Sequence, residues 1–208
     1  MDKNVENNVA CLVGEVVSEF EFSHEVYGEG FYMVSISVDR LSDTKDVLPV
    51  LVSERLVDVA KNIIGTKVFV NGHYRSYNQK TETGSHLILT VFANEFRMDF
   101  DESEVRKTNI VYLDGYVCKP PVYRKTPLGR EIGDVLLAVN RAYGKTDYIP
   151  CICWGRNARF LEKVQVGSRL AIEGRIQSRE YNKKLGDGTE EKRTAYEVSV
   201  AKISEAID

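Results

Sequence analysis

The sequence predicts an all-β protein made of two tandem copies of one small domain. Three observations lead to this fold class: residues repeat at a shift of about 100 positions, apolar residues alternate in short runs, and glycines separate those runs. A chain of 208 residues with 43% hydrophobic and 28% charged residues has enough apolar side chains to form a core. This composition excludes the disordered and collagen-like classes.

The repeat becomes visible when the chain is aligned with itself. At a shift of 101 the matched pairs are Leu12/Leu113, Gly14/Gly115, Val16/Val117, Gly28/Gly129, Val38/Val139, Arg40/Arg141, Asp46/Asp147, Pro49/Pro150 and Arg55/Arg156. One extra residue in the second copy changes the shift to 102, and the pairs are then Gly65/Gly167, Gly72/Gly174 and Ser76/Ser178. A period this long indicates a duplicated domain rather than a solenoid unit. We therefore predict a first domain over residues 1–100, a linker over 101–107 and a second domain over 108–208.

Short alternating segments predict the same elements in the same order in both copies. The first copy has predicted strands over residues 8–17, 31–39, 46–52, 67–77 and 85–96, and a short helix over 54–63. The second has predicted strands over 110–117, 135–141, 147–154, 169–179 and 194–203, and a helix over 156–164. Five strands with a helix between the third and the fourth is the order of the OB-fold. The predicted fold class is therefore all-β: two tandem OB-fold five-stranded Greek-key barrels, each with one short helix between strands 3 and 4.

Charge is distributed unevenly between the two copies. The whole chain has a formal net charge of −3. Residues 1–103 carry 9 Lys and Arg against 17 Asp and Glu, a net charge of −8, whereas residues 104–208 carry 19 against 14, a net charge of +5. Such asymmetry indicates that one half binds a polyanion and that the other half has a different role. Chance drift of surface charge is the alternative explanation.

Residue types that perform chemistry are few and scattered. The four cysteines, Cys11, Cys118, Cys151 and Cys153, show no C-x-x-C spacing, and the three histidines form no motif with them. We therefore predict no metal, no cofactor and no catalytic residues, in a non-enzymatic protein of the reducing cytoplasm. Cys151 and Cys153 alternate on one strand and are predicted core residues. No apolar stretch approaches the roughly 18 residues of a membrane-spanning helix, so we expect no membrane contact.

Several motifs of the second copy occur in a fixed order. They are P-x-x-R-x-T-x-x-G at residues 121–129, an A-V-N-R strand end, a W-G before the predicted helix, a V-G-S turn and the segment E-G-R-I-Q-S-R. Over residues 108–203 these motifs resemble the bacterial single-stranded DNA-binding protein family. The resemblance implies largely sequence-independent binding of single-stranded DNA in replication, recombination or repair. It also implies a cytoplasmic, nucleoid-associated location.

Four aromatic residues of the second copy occupy positions where the resemblance implies base stacking: Tyr143, Tyr148, Trp154 and Tyr181. Tyr148 and Trp154 lie six residues apart on one predicted strand and so share a face. Flat aromatic rings suit binding without sequence preference, because every base has a π face. Burial of Trp154 in the barrel core is the alternative, which strand alternation leaves open. The first copy has Leu48 and Ser53 where the second copy has aromatic residues.

Basic residues complete the predicted binding surface. Arg169, Arg175 and Arg179 lie at even spacings on one predicted strand, so they project from the face opposite Leu170, Ile172 and Ile176. A solvated polar face is the alternative for these arginines. The full predicted nucleic-acid-binding set, which includes motif residues that the resemblance implies, is Arg124, Thr126, Arg130, Arg141, Tyr143, Tyr148, Trp154, Arg156, Arg175, Arg179, Tyr181, Lys183 and Lys184.

The first copy departs from the family motifs, so we expect DNA binding to be concentrated in the second domain. The departures are Ser23 for Arg124, Glu25 for Thr126, Ser53 for Trp154 and Glu54 for Gly155. The resemblance further implies an assembly of four OB domains, which two copies of this chain supply as a homodimer. Single-stranded DNA and replication or repair proteins are the predicted partners. The alternative function is an OB-fold protein-interaction or primosome-type accessory module with weak nucleic-acid binding.

Overall fold

The computed structural model describes residues 6–40, 42–81, 84–184 and 188–206. Strands account for most of these residues. The first half of the chain (residues 1–107) contains β1 Asn8–Val16, β2 Glu21–Val26, β3 Glu29–Asp39, β4 Lys45–Ser53, β5 Lys67–Thr81 and β6 Gly84–Arg97. The second half (residues 108–208) contains β7 Asn109–Val117, β8 Val122–Lys125, β9 Glu131–Asn140, β10 Thr146–Trp154, α1 Arg156–Leu161, β11 Arg169–Lys184 and β12 Glu190–Glu205. Two 3₁₀ turns, Glu102–Glu104 and Ala142–Gly144, connect strands.

Each half closes into a barrel by the same set of strand pairings. In the first half the order is β3-β4-β6-β5-β1, and β1 pairs with β3 to complete the circle. In the second half β11, β12, β10 and β9 follow β7, and β7 pairs with β9. The one parallel pairing of each described barrel also corresponds, since β4 pairs with β6 and β10 with β12. This is the five-stranded Greek-key OB topology, so the predicted fold class is confirmed.

Alternating apolar residues fill both barrels. Leu12, Val50 and Val70 are buried in the first half, and Leu113, Ile149 and Ile172 are buried in the second. Matched glycines allow the strands to cross closely where the barrels close. A Cβ atom at Gly14 would collide with the carbonyl oxygen of Ser37, and one at Gly115 would collide with the carbonyl oxygen of Ala138. Close backbone approach therefore requires glycine at this matched pair of the repeat.

The two barrels join edge to edge. Strands β1 and β7 pair antiparallel, with Ala10 opposite Val111. These two residues are separated by the repeat shift of 101, so the pairing places equivalent residues face to face, as a two-fold axis would. Two further backbone hydrogen bonds obey the same relationship: Val13 N–H donates to Thr108 O, and Asp114 N–H donates to Asn7 O, both at 2.7 Å.

Three details differ from the sequence prediction. Each half has an additional strand, β2 or β8, because the chain before β3 and before β9 folds back as an antiparallel hairpin. In the second half the helix ends at Leu161 rather than at residue 164. The predicted linker over residues 101–107 contains the 3₁₀ turn Glu102–Glu104. The division of the chain into two independently folding domains stays a prediction.

The helix predicted over residues 54–63 is wrong, because this segment forms consecutive turns. Side chains at its polar positions bind the backbone locally and replace helical hydrogen bonds. The Asp58 carboxylate accepts from Ala60 N–H at 3.2 Å, and the Asn62 side-chain oxygen accepts from Ile64 N–H at 3.0 Å. Such contacts compete with a helix, and the β-branched residues of this segment favour it little. Val57 and Ile63 still pack against the barrel core.

Candidate nucleic-acid interface

Strand β10 presents the central aromatic pair. Its inward residues Ile149, Cys151 and Cys153 are buried, whereas Tyr148 and Trp154 are 43% and 42% exposed. The predicted shared outward face is confirmed, and the alternative of Trp154 as a core residue is wrong. Burial raises the pKa of the Cys153 thiol to about 12 and that of Cys151 well above its ordinary value, so both thiols are neutral core groups as predicted.

The first half has no aromatic ring at the two equivalent positions of β4. Tyr148 lies opposite Ala138, and the matching pair in the first half is Val47 opposite Ser37. The sequence comparison had matched Tyr148 with Leu48, which is wrong by one position, because Leu48 is fully buried. Val47 is 43% exposed, so both strands expose the same position, but only the second half places a ring there.

The two loop tyrosines are also accessible. Tyr143 lies in the 3₁₀ turn between β9 and β10, is fully exposed, and has a left-handed backbone with φ of 60°. Non-glycine residues adopt this conformation rarely, so the turn holds the ring outward at some conformational cost. Tyr181 lies on β11 and is 38% exposed, and the Arg179 guanidinium is 5.8 Å from its ring centroid. This distance is within the range of a cation–π contact.

The β11 arginines share one face, as predicted, but each has a carboxylate partner. Leu170, Ile172 and Ile176 are buried on the opposite face. The ion pairs are Arg169–Asp114 at 2.9 Å, Arg175–Asp46 at 3.0 Å and Arg179–Glu197 at 4.0 Å. The sequence analysis missed these partners, because they come from other strands and, for Asp46, from the other half. The positive charges of these three arginines are therefore partly neutralised, which the sequence does not predict.

Arg141 belongs to a cluster at the boundary between the halves. It donates to the Asp147 carboxylate at 2.6 Å and to the Ser76 carbonyl at 2.9 Å. Asp147 is completely buried and accepts from Ser76 N–H at 2.6 Å, while the Ser76 hydroxyl accepts from Tyr148 N–H at 2.7 Å. We call Arg141, Asp147 and Ser76 the first boundary cluster. It anchors the start of β10 to the first half, so Arg141 has a positioning role.

The repeat-equivalent residues form a second boundary cluster of Arg40, Asp46 and Ser178. Asp46 accepts from Ser178 N–H at 2.7 Å and from Arg40 at 2.5 and 2.8 Å, and Arg40 also donates to the Ser178 carbonyl at 3.0 Å. Burial alone would raise the pKa of Asp46. Hydrogen bonds from Arg40 and Ser178 and the charges of Arg40 and Arg175 outweigh burial and hold this pKa below its ordinary value.

The remaining predicted residues differ in exposure and in their contacts. Arg124 and Asp134 form an ion pair on the exposed β8–β9 hairpin. Thr126 shapes the turn of that hairpin, since its hydroxyl accepts from Arg130 N–H at 3.0 Å and its own N–H donates to the Arg130 carbonyl at 2.8 Å. The side chains of Arg130 and Arg156 are exposed. The side chains of Lys183 and Lys184 lie outside the described residues.

Other classes of site find no support in the described residues. Within these ranges no three His, Cys, Asp or Glu side chains gather as a metal site. None of the helices in the described part of the chain is long and apolar enough to cross a membrane.

Several known proteins are similar to part or all of this chain. Residues 108–205 match the model of the Single-strand binding protein family. Single-stranded DNA-binding protein A of Bacillus subtilis (strain 168) is 36% identical over 88 residues, which are 38% of this chain and 49% of that protein. Single-stranded DNA-binding protein 1 of Staphylococcus aureus (strain COL) is 36% identical over 88 residues, covering 38% and 51%. The chain thus spans about half the length of the curated relatives it matches.

A solved structure covers both halves. The wild-type single-stranded DNA binding protein from Thermus aquaticus superposes with a TM-score of 0.73 at 19% identity, over 97% of this chain and 93% of that chain. At this identity the similarity shows a shared fold. Residues 108–205 are therefore similar to the Single-strand binding protein family, and the chain as a whole shares its two-barrel fold with the Thermus aquaticus protein.

Proposed function

We propose that this chain binds single-stranded DNA without sequence preference and without catalysis, through the exposed aromatic face of β10. The observation that carries this proposal is the outward placement of Tyr148 and Trp154 above a fully buried strand interior. Two rings on a rigid strand provide stacking surfaces whose orientation is fixed before the nucleic acid arrives, which reduces the entropic cost of binding. Similarity of residues 108–205 to proteins named for single-stranded DNA binding supports the same assignment.

Phosphate contacts in this proposal come first from the exposed arginines. Arg130 directly precedes β9, Arg156 begins α1, and both side chains are exposed. Arg124 contributes by exchanging its exposed partner Asp134 for a phosphate, because exposed ion pairs contribute little stability. Arg179 is exposed and lies 4.0 Å from the mostly buried Glu197, so its guanidinium remains accessible to a phosphate. Arg141 and Arg175 hold buried carboxylates and act by positioning β10 and β11.

A salt titration of oligo-dT binding tests the proposal. Affinity for the full chain should fall linearly on a log–log scale as salt rises, with a slope of about 0.7 per phosphate contact. Oligo-dT and a mixed-sequence strand of equal length should bind with similar affinity, because stacking and phosphate contacts are sequence-tolerant. Affinity that is negligible at low salt, or that favours duplex over single strand, would refute the proposed function.

Assembly as a homodimer with four barrels follows from the same proposal. Each chain supplies two barrels, and closed two-fold symmetry is the default arrangement for two identical chains. In this proposal the protein is cytoplasmic and nucleoid-associated, and it acts in replication, recombination or repair with proteins of those processes as partners. The four barrels of the assembly hold the single strands that these processes expose.

A protein-interaction module is the second candidate, and strand β2 favours it. All six residues of Glu21–Val26 are exposed, and β2 has one strand neighbour in the described sheet. An exposed edge can accept a strand from a partner, and the net charge of −8 over residues 1–103 would select a basic one. Oligo-dT binding with a negligible salt slope would favour this candidate over the first.

A further inference from the structure

A cleft of about 760 Å³ lies between the first half and the β9–β10 turn of the second half. Strands β2, β4, β5 and β6 form one wall, and the turn forms the other. The residues that line it are Ser23, His24, Leu51, Arg75, Ser76, Tyr77, Thr90, Phe92, Arg141, Ala142, Tyr143 and Lys145. These described lining residues include three cations and four aromatic rings but no carboxylate. This is unexpected, because the first half is strongly acidic. Two of the cations, Arg75 and Arg141, pair with the buried Asp147.

The aromatic rings of the first half form a continuous group at this cleft. The His24 and Phe31 rings are stacked with centroids 5.1 Å apart and planes inclined by 12°, and the Phe31 and Phe92 centroids are 5.8 Å apart. The Arg75 guanidinium is 5.9 Å from the centroid of Phe92. Binding sites for single-stranded nucleic acid combine aromatic rings with positive charge, and this cleft contains both.

This group does not repeat the aromatic positions of the second half. The strand register makes Phe92 equivalent to Ser199, since Gly72 pairs with Ala93 and Gly174 pairs with Val200. By the same register Arg75 is equivalent to Gln177. The aromatic and cationic side chains of the cleft are thus specific to the first half, which has Val47 and Ser53 at the positions of Tyr148 and Trp154.

The cleft lies next to the start of β10. Tyr148 N–H donates to the hydroxyl of Ser76, and the neighbours of Ser76 on β5 are Arg75 and Tyr77, which line the cleft. Tyr143 and Lys145 extend from the β9–β10 turn, directly before β10 begins. A DNA strand that extends beyond Tyr148 therefore meets further aromatic rings and positive charge at the boundary between the halves, rather than the acidic surface of the first half.

We propose that this boundary cleft is a second contact site for single-stranded DNA. Phe92, backed by Phe31 and His24, stacks on a base, while Lys145 contacts a flanking phosphate. Arg75 pairs with Asp147 and lies over the Phe92 ring, so it has a positioning role. The proposal rests on the proposed function of the second half and extends it to residues that the sequence analysis assigned no role. The bound strand then crosses from one barrel to the other instead of remaining on the second.

The test uses the full chain, with Phe92→Leu as the variant and Phe69→Leu as its matched control. Both rings are partly buried and lie under an arginine, Phe69 under Arg97 at 4.6 Å, but Phe69 does not line the cleft. Two oligo-dT lengths are needed, because one OB-fold covers about 4–16 nucleotides: one strand of about 8 nucleotides and one of about 30. Trp154, the sole tryptophan, reports occupancy of the second half through its fluorescence.

The expected result is a loss of about 5-fold or more in affinity of Phe92→Leu for the long strand, and unchanged affinity for Phe69→Leu. Quenching of Trp154 by the short strand should be the same in the variant, the control and the unmodified protein. Unchanged long-strand affinity in Phe92→Leu would overturn the cleft proposal while Trp154 quenching upheld the proposed function. Loss of long-strand affinity without any Trp154 quenching would uphold the cleft and refute the β10 site.

A second measurement needs no variant. Oligo-dT of the longer length carrying 5-iodouracil cross-links to aromatic rings that stack on it, and the linked peptides identify the site. Cross-links to Phe92, Tyr77 or Tyr143 are expected in addition to those on β10. Cross-links restricted to Tyr148, Trp154 and Tyr181 would overturn the proposal.

Discussion

Asp147 in the second half accepts a hydrogen bond of 2.6 Å from the backbone N–H of Ser76 in the first half. The repeat partners of these two residues, Asp46 and Ser178, form the same contact at 2.7 Å in the opposite direction. Each half therefore contributes one carboxylate and one serine to the boundary. The duplicated barrels pack as a symmetric dimer packs, with the two subunits in one chain, and the boundary is a specific interface rather than a flexible joint.

The first boundary cluster should contribute strongly to stability. Asp147→Asn removes the charge that neutralises Arg141 and Arg75 in a buried position, and breaking such a pair costs about 3–5 kcal/mol. Urea denaturation should show this loss in the free energy of unfolding. Asp134→Asn, which breaks the exposed pair with Arg124, is the control and should cost about 1 kcal/mol or less. Equal losses for both variants would contradict a structural role for the cluster.

Asp46 should make stability depend on pH in the acidic range. Its pKa in the folded protein lies below the unfolded value of about 3.9, so its contribution is complete above that value and is lost as pH falls through the folded pKa. The free-energy difference between the unmodified protein and Asp46→Asn should therefore be constant from about pH 7 to 5 and shrink below about pH 4. Denaturation curves at pH 6 and pH 3 provide the comparison. A free-energy difference that grows on acidification would show that folding raises the pKa of Asp46 instead of lowering it.

Removal of the β10 rings should weaken DNA binding. Trp154→Ala is expected to reduce oligo-dT binding by about 1–3 kcal/mol, the range for a lost base–aromatic stack. Val47→Ala changes the position in the first half that is equivalent to Tyr148 and equally exposed, and it should leave the affinity unchanged. Fluorescence anisotropy of a labelled strand measures both. Unchanged affinity in Trp154→Ala would remove this ring from the interface.

Arginines at equivalent positions of the repeat should differ in their effect on salt dependence. Arg156→Gln should lower the log–log slope of oligo-dT affinity against salt by about 0.7, the value for one phosphate contact on a single strand. Arg55, its repeat partner, pairs with Glu29 at 3.3 Å, and Arg55→Gln should leave the slope unchanged. A similar reduction in both variants would show that overall charge, rather than a contact at Arg156, determines the slope.

The assembly state has a direct solution test. Light scattering at micromolar concentration should give twice the chain mass of 23.6 kDa if the chain forms a homodimer. A single species at the mass of one chain would contradict the homodimer and leave binding by the second half unaffected.

Sequence patterns were sufficient for the barrel topology because their physical causes are local. Alternating residues must face the core or solvent, and Gly14 and Gly115 sit where backbones approach too closely for a side chain. The turns at residues 54–63 escaped prediction because Asp58 and Asn62 bind nearby backbone N–H groups instead of supporting the apolar helical spacing. The match of Tyr148 with Leu48 was an error of one residue, since the shift of 101 and the strand register both match Tyr148 with Val47.

The part of the site that the sequence did not predict depends on contacts between distant residues. Arg175 and Asp46 are 129 positions apart, so nothing in either local pattern indicates that the charge of this arginine is already neutralised. The boundary cleft was missed for the same reason, since Arg75 and Phe92 are brought to Tyr143 only by the packing of the two barrels. Residues on one strand face could be predicted, whereas partners from another barrel could not.

A structure of the full chain bound to a short oligo-dT tests the central claim most directly. The account predicts bases stacked on Tyr148 and Trp154, with phosphates next to Arg130 and Arg156 and the boundary clusters of Asp46 and Asp147 unchanged. A strand bound elsewhere, with both β10 rings still open to solvent, would contradict it.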